Sequence, residues 1–271
     1  MISMDTLLAK NHYKKIKSYY DSSTINWINT YRRVESFRFS PFLKQHDDIL
    51  YKKIFAKDAV TVLDAGCGDF SLSLAFLKKN KDLFIHGVTL SNVQKNIADK
   101  NIKKYNVSNR AKITLQNFNN LNFKNNFFDI VYFIESFSHS IHKEKTIKEI
   151  YRVLKPGGLC YILDLNLNSE SKYKKQIKNN YLKWYSLFYF APITYALLKN
   201  KFRKKFNLVY SKTNLINYRK HFYKKLRQNV DFERCENYYK DSNIMTDYGK
   251  SHSGQELFEL PVVWSEFLLQ K

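Results

Sequence analysis

A short glycine-containing turn follows the first apolar strand expected in the chain. Residues 60–70 read VTVLDAGCGDF, where Asp64 ends a run of strand-forming residues and Gly66 and Gly68 come directly after it. Glycine lets the backbone turn tightly and approach a ligand without an intervening Cβ. Open parallel sheets bind ligands at the carboxyl ends of their strands. The turn is therefore a candidate ligand site with a carboxylate at its entrance.

Two classes of ligand fit this turn to different degrees. GCGDFS is a loose version of the dinucleotide fingerprint, which expects an acidic residue roughly 20 positions later to bind the ribose. Residues 86–94 read HGVTLSNVQ and contain no acid. A carboxylate beside a pyrophosphate would also repel it. Asp64 instead favours a ligand that carries an ammonium and a sulfonium group.

A second pair of reactive side chains follows the fourth expected strand. There the chain reads IESFSHS, with Glu135 and His139 four residues apart. A carboxylate at this position can accept a proton or stabilise a developing cation. Structural roles remain open for both residues: a hydrogen-bond anchor for Glu135, and a helix cap or core histidine for His139.

These residues need a sheet to bring them together, and the chain alternates between strand and helix patterns from residue 59 onward. We expect strands at AVTVLD, LFIHGV, AKITLQN, FFDIVYFIE and LCYILDLN, and further ones at residues 206–215 and 260–271. Helical patterns separate the first five, with Ser91 as an N-cap and TIKEIYRVLKPGG as a helix stopped by Pro156. This alternation predicts a parallel α/β sheet with right-handed crossovers.

Composition narrows the range of partners. The formal net charge is +22, which favours anionic partners such as phosphates, nucleic acid or acidic membranes. A compositional bias toward lysine explains the charge equally well. The three cysteines are sparse and lack the spacing of a metal site, so no metal is expected. The N-terminus has no apolar signal-peptide core, and we expect a cytoplasmic protein.

The block from about residue 59 to 164 resembles class I S-adenosylmethionine-dependent methyltransferases. VLDAGCGDF resembles their first motif, FFDIVYFIES their fourth-strand motif, and LKPGG the turn before their fifth strand. Phe70 stands where many members have a third glycine. GVTLSNVQ resembles the GxTLSxxQ pattern of the cyclopropane-fatty-acid-synthase and sterol or isoprenoid C-methyltransferase branch. The resemblance implies a Rossmann-like seven-stranded sheet, mostly parallel with an antiparallel last strand, flanked by N-terminal helices and a helical substrate cap.

The same resemblance implies S-adenosylmethionine as cofactor and a set of residues that contact it. Thr89 and Gln94 would contact the ribose and adenine side, Asn117 would hydrogen-bond the adenine, and Phe118 would pack on its face. Gln94 as a solvated helix residue and Phe118 as a core residue remain alternatives. The full set of expected cofactor-binding residues is Tyr20, Ser40, Asp64, Gly66, Cys67, Gly68, Thr89, Gln94, Asn117, Phe118 and Ile134.

The segments outside the core are expected to close over the ligands. YYD at 19–21 and RFSPF at 38–42 resemble the N-terminal helix and loop that cover the cofactor in this branch, so Tyr19 and Phe39 are further candidates; all of these residues can equally pack a cap helix. We divide the chain into an N-terminal helical lid (1–57), the cofactor-binding core (58–166), an aromatic and basic substrate cap (167–205) and a segment that completes the sheet and adds a second cap insertion (206–271).

These features predict methyl transfer to a small molecule. We expect C-methylation of an isoprenoid, such as a prenyl diphosphate, or of a lipid-like substrate, in an enzyme that can touch anionic membrane and form a homo-oligomer. The uncharged stretch 184–198 would line an apolar pocket or lie on anionic lipid. N- or O-methylation of a phosphobase or secondary metabolite is the alternative. An RNA methyltransferase is less favoured, because strand four ends in IESF and not in an NPPY-type motif. A non-catalytic cofactor-binding scaffold is a third class.

Overall fold

A computed structural model gives the fold of the chain. It describes residues 4–31, 60–168, 170, 175, 191, 193–215 and 262–271, and the statements below refer to these residues. The predicted lid residues Phe39 and Ser40, most of the predicted cap 167–205, and the second cap insertion lie outside this part of the chain.

Seven strands of the described chain form one sheet. They are β1 (Val60–Ala65), β2 (Leu83–Thr89), β3 (Ala111–Leu115), β4 (Phe128–Ile134), β5 (Leu154–Leu167), β6 (Asn207–Leu215) and β7 (Val262–Gln270). Their spatial order is β3-β2-β1-β4-β5-β7-β6. Strands β1 to β5 run parallel, whereas β7 is antiparallel to both β5 and β6. The predicted mostly parallel sheet with an antiparallel last strand is confirmed.

Strand order reverses between β1 and β4, which are neighbours in the sheet although β2 and β3 separate them in the chain. Asp64 on β1 lies beside Gly87 of β2 and Tyr132 of β4. A crevice forms outside the carboxyl ends of strands at such a switch point. The fold therefore places the glycine turn and the turn after β4 side by side.

Helices cover both faces of the sheet. They are α1 (Met4–Tyr31), α2 (Ser71–Lys79), α3 (Asn92–Lys104), α4 (Lys143–Val153) and α5 (Tyr195–Arg203), with a short 3-10 helix at Phe137–His139. The predicted cap at Ser91 is confirmed, since its side chain accepts a hydrogen bond from the backbone N–H of Gln94 at 3.1 Å. This bond satisfies one of the otherwise unpaired donors of the first helical turn.

The helix before β5 ends earlier than the sequence predicted. We expected Pro156 to stop it, but α4 ends at Val153 and β5 begins at Leu154. Leu154 is fully buried and pairs with Phe128 of β4. Lys155 precedes the proline, where helical backbone angles are disfavoured. Burial in the sheet and the proline together move the helix end toward the N-terminus.

Helix α5 belongs to the layer that covers the sheet, although it lies in the range predicted as substrate cap. Leu198 and Phe202 are fully buried. The Phe202 ring lies 5.0 Å from that of Phe267 on β7 and 5.7 Å from that of Phe137 in the turn after β4. Such aromatic contacts add to the free energy of area burial. This part of the cap range therefore packs against the turn after β4.

Candidate functional site

The glycine turn after β1 requires glycine at Gly66 and leaves space at Gly68. Both have positive φ, +90° and +54°. A Cβ on Gly66 would lie 2.5 Å from the Cβ of Ser136, whereas a Cβ on Gly68 would meet no atom of the described residues within 4 Å. The N–H groups of Gly66 and Cys67 both donate to the Val88 carbonyl at 3.0 Å. The turn is fixed in shape, and the described residues leave open space at Gly68.

Phe70 occupies the position where a third glycine is frequent, and it keeps the left-handed backbone with φ 67°. This conformation costs a residue with a Cβ about 1–2 kcal/mol. The Phe70 side chain is fully buried in the core, and burial of a phenylalanine gains about 1.5–3 kcal/mol. Burial of the Phe70 side chain therefore offsets the strain of its backbone, and the turn keeps its shape without a third glycine.

Asp64 lies beneath the turn and not at its entrance. It is 4% exposed, and its Oδ2 accepts a hydrogen bond from the Ser73 hydroxyl at 2.6 Å. The same hydroxyl is 2.5 Å from the Tyr132 hydroxyl. Burial, with the Asp64 carboxylate, raises the pKa of Tyr132 well above its usual value. In this structure Asp64 supports the turn from below, and its direct contact with a ligand stays a prediction.

Cys67 packs inside the turn. A Cβ on Gly87 would lie 2.8 Å from the Cys67 Sγ, so β2 needs glycine beside this thiol. Burial, and then the carboxylates of Asp64 and Asp69, raise the pKa of Cys67 well above its ordinary value. A thiol that stays protonated is a poor nucleophile. The half-buried side chain of Cys67 packs beside β2, and its contact with a cofactor stays a prediction.

Thr89 and Gln94, both predicted to contact the cofactor, lie together at the end of β2. The Thr89 hydroxyl donates to the Gln94 side-chain oxygen at 2.7 Å and accepts from the Ser91 N–H at 3.2 Å. Thr89 is buried and Gln94 is half-buried. The pair presents fixed polar atoms beside the glycine turn.

The two residues predicted to bind adenine differ in their surroundings. Asn117 is half-buried after β3, and its side-chain oxygen accepts from the Asn119 N–H at 2.9 Å. Phe118 is buried in the core, with its ring 5.4 Å from Phe133 in an edge-to-face contact. The core alternative accounts for Phe118 in this structure, and its contact with adenine stays a prediction.

The turn after β4 begins with a strained residue. Glu135 has φ 56°, its side chain is half-buried, and its N–H donates to Leu163 of β5 at 2.8 Å. Non-glycine residues in this conformation cluster at functional sites. Ile134, a predicted cofactor contact, precedes it and is also half-buried. Ser136 donates to the Ala65 carbonyl at 2.6 Å, which ties this turn to the glycine turn.

His139 in the same turn is joined to the N-terminal helix. It is 6% exposed, and its Nε2 is hydrogen-bonded to the Tyr20 hydroxyl at 2.7 Å. Its carbonyl accepts a hydrogen bond from the His12 Nε2 at 2.8 Å. Burial, followed by the carboxylates of Asp164 and Glu135, raises the pKa of Tyr20, so this phenol stays protonated. The structure thus brings a predicted catalytic residue and a predicted lid residue into contact.

A buried lysine supports this turn, and we did not predict it from the sequence. The Lys143 ammonium donates to the carbonyls of Phe137 at 3.0 Å and Ser138 at 3.2 Å, and also to that of Ser140. Asp164 on β5 accepts from the Ser138 N–H at 2.8 Å. Burial lowers the pKa of Lys143, while Asp164 opposes that shift. Burial raises the pKa of Asp164.

Helix α1 lies over the carboxyl ends of the strands and contacts three of their loops. Asp21 accepts a hydrogen bond from Ser91 at 2.5 Å, at the start of α3. Tyr13 bonds Asn119 after β3, and Tyr20 bonds His139 after β4. These contacts fix α1 against the loops, and the role of the N-terminal segment as a lid stays a prediction.

The described residues contain neither a candidate membrane-spanning helix nor a candidate metal site. None of the helices there is long and apolar enough to cross a membrane. No three His, Cys, Asp or Glu side chains of that part converge in a way that could hold a metal ion.

Comparison with known proteins confirms the resemblance to class I methyltransferases. Residues 63–162 match a family model described as a methyltransferase domain. A sterol 24-C-methyltransferase from Clavispora lusitaniae is 28% identical over 152 residues, which span 56% of this chain and 40% of that relative. The chain therefore aligns with less than half of that relative's length.

Solved structures share the fold at low sequence identity. The crystal structure of the 4+2 cyclase SpnF has a TM-score of 0.71 and 17% identity, covering 96% of both chains. Geranyl diphosphate C-methyltransferase from Streptomyces coelicolor A3(2) has a TM-score of 0.61 and 14% identity, covering 84% of this chain and 78% of the other. Since folds host many functions, these two likenesses establish architecture alone.

Proposed function

We propose that this chain, which carries a class I methyltransferase domain, transfers a methyl group from S-adenosylmethionine to a small apolar acceptor. One observation carries the proposal: the turn that holds Glu135 and His139 is fastened to the glycine turn through Ser136, 2.6 Å from the Ala65 carbonyl. A cofactor-binding turn and a pair of proton-accepting side chains thus share one edge of the sheet, beneath helix α1.

The glycine turn fits S-adenosylmethionine in shape. The described residues leave open space at Gly68, and the fixed pair of Thr89 and Gln94 offers hydrogen-bonding atoms to the ribose and adenine side. When bound, the cofactor supplies an electrophilic methyl carbon and leaves as S-adenosylhomocysteine. The protein must then supply orientation, which can contribute several kcal/mol to lowering the barrier.

For the acceptor we propose an alkene carbon of an isoprenoid or sterol-like molecule. The alkene electron pair forms the new C–C bond to the methyl carbon, while the electrons of the broken C–S bond stay on sulfur. The adjacent acceptor carbon becomes a cation and must lose a proton. We assign the Glu135 carboxylate as the group that stabilises this cation and accepts that proton.

We assign Tyr20 and His139 the task of closing the site. Their hydrogen bond fixes helix α1 over the turn, which excludes water that would otherwise capture the cation. The Tyr20 ring can also face the cation, a contact of about 0.5–2 kcal/mol. Support for this acceptor class comes from the sterol C-methyltransferase and the geranyl diphosphate C-methyltransferase among the similar proteins.

The test follows a methyl group labelled with ¹³C. The protein is incubated with labelled S-adenosylmethionine and, in separate reactions, geranyl diphosphate, a sterol with a side-chain alkene, and phosphoethanolamine. We expect a new C–CH₃ resonance with an alkene acceptor. Glu135→Gln should lower its rate by about 10²-fold or more, whereas Glu144→Gln, at an exposed position on α4, should not. Cofactor binding without transfer to any acceptor would contradict the proposal.

N- or O-methylation is the second candidate, and the Tyr20–His139 hydrogen bond favours it. A histidine next to a phenol can remove the proton of an amine or hydroxyl acceptor. Label that appears only on nitrogen or oxygen, with a rate that depends on His139 and not on Glu135, would replace C-methylation by this function.

A further inference from the structure

A basic cleft lies at the opposite edge of the sheet from the glycine turn. Its volume is about 450 Å³, and its walls include Lys148, Tyr151, Arg152, Lys205 and Lys271. Lys205 precedes β6, Lys271 follows the antiparallel β7, and Lys148 is on α4. These positions lie at the amino ends of the parallel strands. The cleft is therefore separate from the candidate methyl-transfer site.

One aromatic ring anchors two of these cations. The Lys205 ammonium lies 4.3 Å and the Lys271 ammonium 4.6 Å from the centroid of the Tyr151 ring. Attraction to the ring face holds each lysine in place. Lys271 also donates to the side-chain oxygen of Asn126 and to the carbonyl of Leu154, both at 2.7 Å. The ammonium groups are thus oriented before any ligand binds.

The described residues that line the cleft carry an excess of positive charge. None of them is an aspartate or glutamate. Arg152 is paired with Glu149 at 2.6 Å, so the three lysines carry the excess among these residues. Burial and the charge of Lys205 both lower the pKa of Lys271. A bound anion would relieve the repulsion between these groups.

We propose that this cleft binds a phosphate group. Several ammonium donors around one opening suit an anion with several oxygens, and Asn126 adds an amide at the wall. The phosphate can belong to a soluble phosphorylated molecule or to an anionic lipid headgroup, because both present the same oxygens. The proposal is independent of methyl transfer, since the cleft lies at the far edge of the sheet.

The test compares two triple variants that remove the same charge. The cleft variant carries Lys148→Gln, Lys205→Gln and Lys271→Gln. The control carries Lys81→Gln, Lys100→Gln and Lys103→Gln, which are exposed elsewhere on the chain. Thermal unfolding establishes that both are folded. Inorganic phosphate and pyrophosphate are titrated by calorimetry, and vesicles of phosphatidylcholine with or without phosphatidic acid are co-sedimented.

We expect the cleft variant to lose at least tenfold in affinity for at least one phosphate probe, with the control variant close to the unchanged protein. A loss confined to phosphatidic acid vesicles identifies a lipid headgroup, and a loss for the free anions identifies a soluble ligand. If both variants lost the same affinity for the phosphate probes, net charge alone would explain the effect and the proposal would be wrong. Failure of the unchanged protein to bind any of the probes would also overturn it.

Discussion

The turn after β1 and the turn after β4 meet at one edge of the sheet but are held in different ways. The first is shaped by backbone conformation at Gly66 and Gly68 and by hydrogen bonds to neighbouring β2. The second is fastened by side chains of other elements, Tyr20 on α1 and Asp164 on β5. The first turn is therefore held mainly by backbone geometry, whereas the second depends on side-chain contacts. Under the proposed function, the first turn would hold the cofactor and the second would face the acceptor.

The largest loss of stability is expected from one methyl group added to the glycine turn. Gly66→Ala should lower the free energy of unfolding by about 4 kcal/mol, because overpacking against Ser136 adds to left-handed backbone strain. Gly68→Ala has similar strain, but its Cβ meets no atom of the described part of the chain within 4 Å, so it should cost only about 1–2 kcal/mol. Denaturant unfolding without cofactor measures both. Equal losses would mean that the contact with Ser136 does not shape the turn.

Removal of the buried cation should weaken the second turn. Lys143→Met leaves three backbone carbonyls without the ammonium that donates to them, and we expect a loss of about 3 kcal/mol in unfolding free energy. Lys145→Met changes an exposed lysine of the same helix and should cost less than about 0.5 kcal/mol. A Lys143→Met protein as stable as the control would show that the ammonium does not organise this turn.

The contact between lid and turn can be isolated by a double-mutant cycle. Tyr20→Phe and His139→Gln are measured singly and together by denaturant unfolding. Because the two side chains share a hydrogen bond of 2.7 Å, we expect a coupling energy of about 1 kcal/mol. Additive effects would indicate that α1 and the turn after β4 are not connected through this pair.

The smallest expected effect is the pH-dependent contribution of Asp21, which joins α1 to α3, to the free energy of unfolding. Burial acts to raise the pKa of Asp21, but hydrogen bonds from Lys17 and Ser91 outweigh it and lower that pKa. A carboxyl group with a lowered pKa in the folded state stabilises the fold at pH values above its unfolded pKa of about 3.9. This stabilisation is lost as pH falls through the folded pKa. Asp21→Asn should cost about 0.5 kcal/mol at pH 7 and progressively less as pH falls below about 3.9. A difference that stays constant across this range would contradict the assignment.

The sequence predicted the glycine turn well because its requirements are local. VLDAGCGDF combines a buried strand, two glycines and an acid, and each has one physical reason to be there. The seven-stranded sheet followed from alternating strand and helix patterns together with the family resemblance. The sequence did not predict the hydrogen bonds that join Asp64 to Ser73 and Ser73 to Tyr132, and the contact of Asp64 with a ligand stays a prediction. These hydrogen bonds join three separate elements, which no single motif records.

The side chains that hold the turn around His139 were also hard to predict, because they come from other elements of the fold. Lys143 is the first residue of the polar-looking helix α4, and its burial is visible only in the helical spacing it shares with Thr146, Ile147 and Ile150. That spacing was an available signal for a lysine on the buried face. The bond from Tyr20 spans 119 positions of the chain, and a contact of that range depends on the complete fold.

The central claim is that the two turns form one site for cofactor and acceptor, and a crystal structure with S-adenosylhomocysteine tests it most directly. We predict that the ligand lies above Gly68, with its ribose and adenine beside Thr89 and Gln94 and its sulfur toward Glu135. A ligand bound elsewhere, or a glycine turn that remains empty at saturating ligand, would contradict the account.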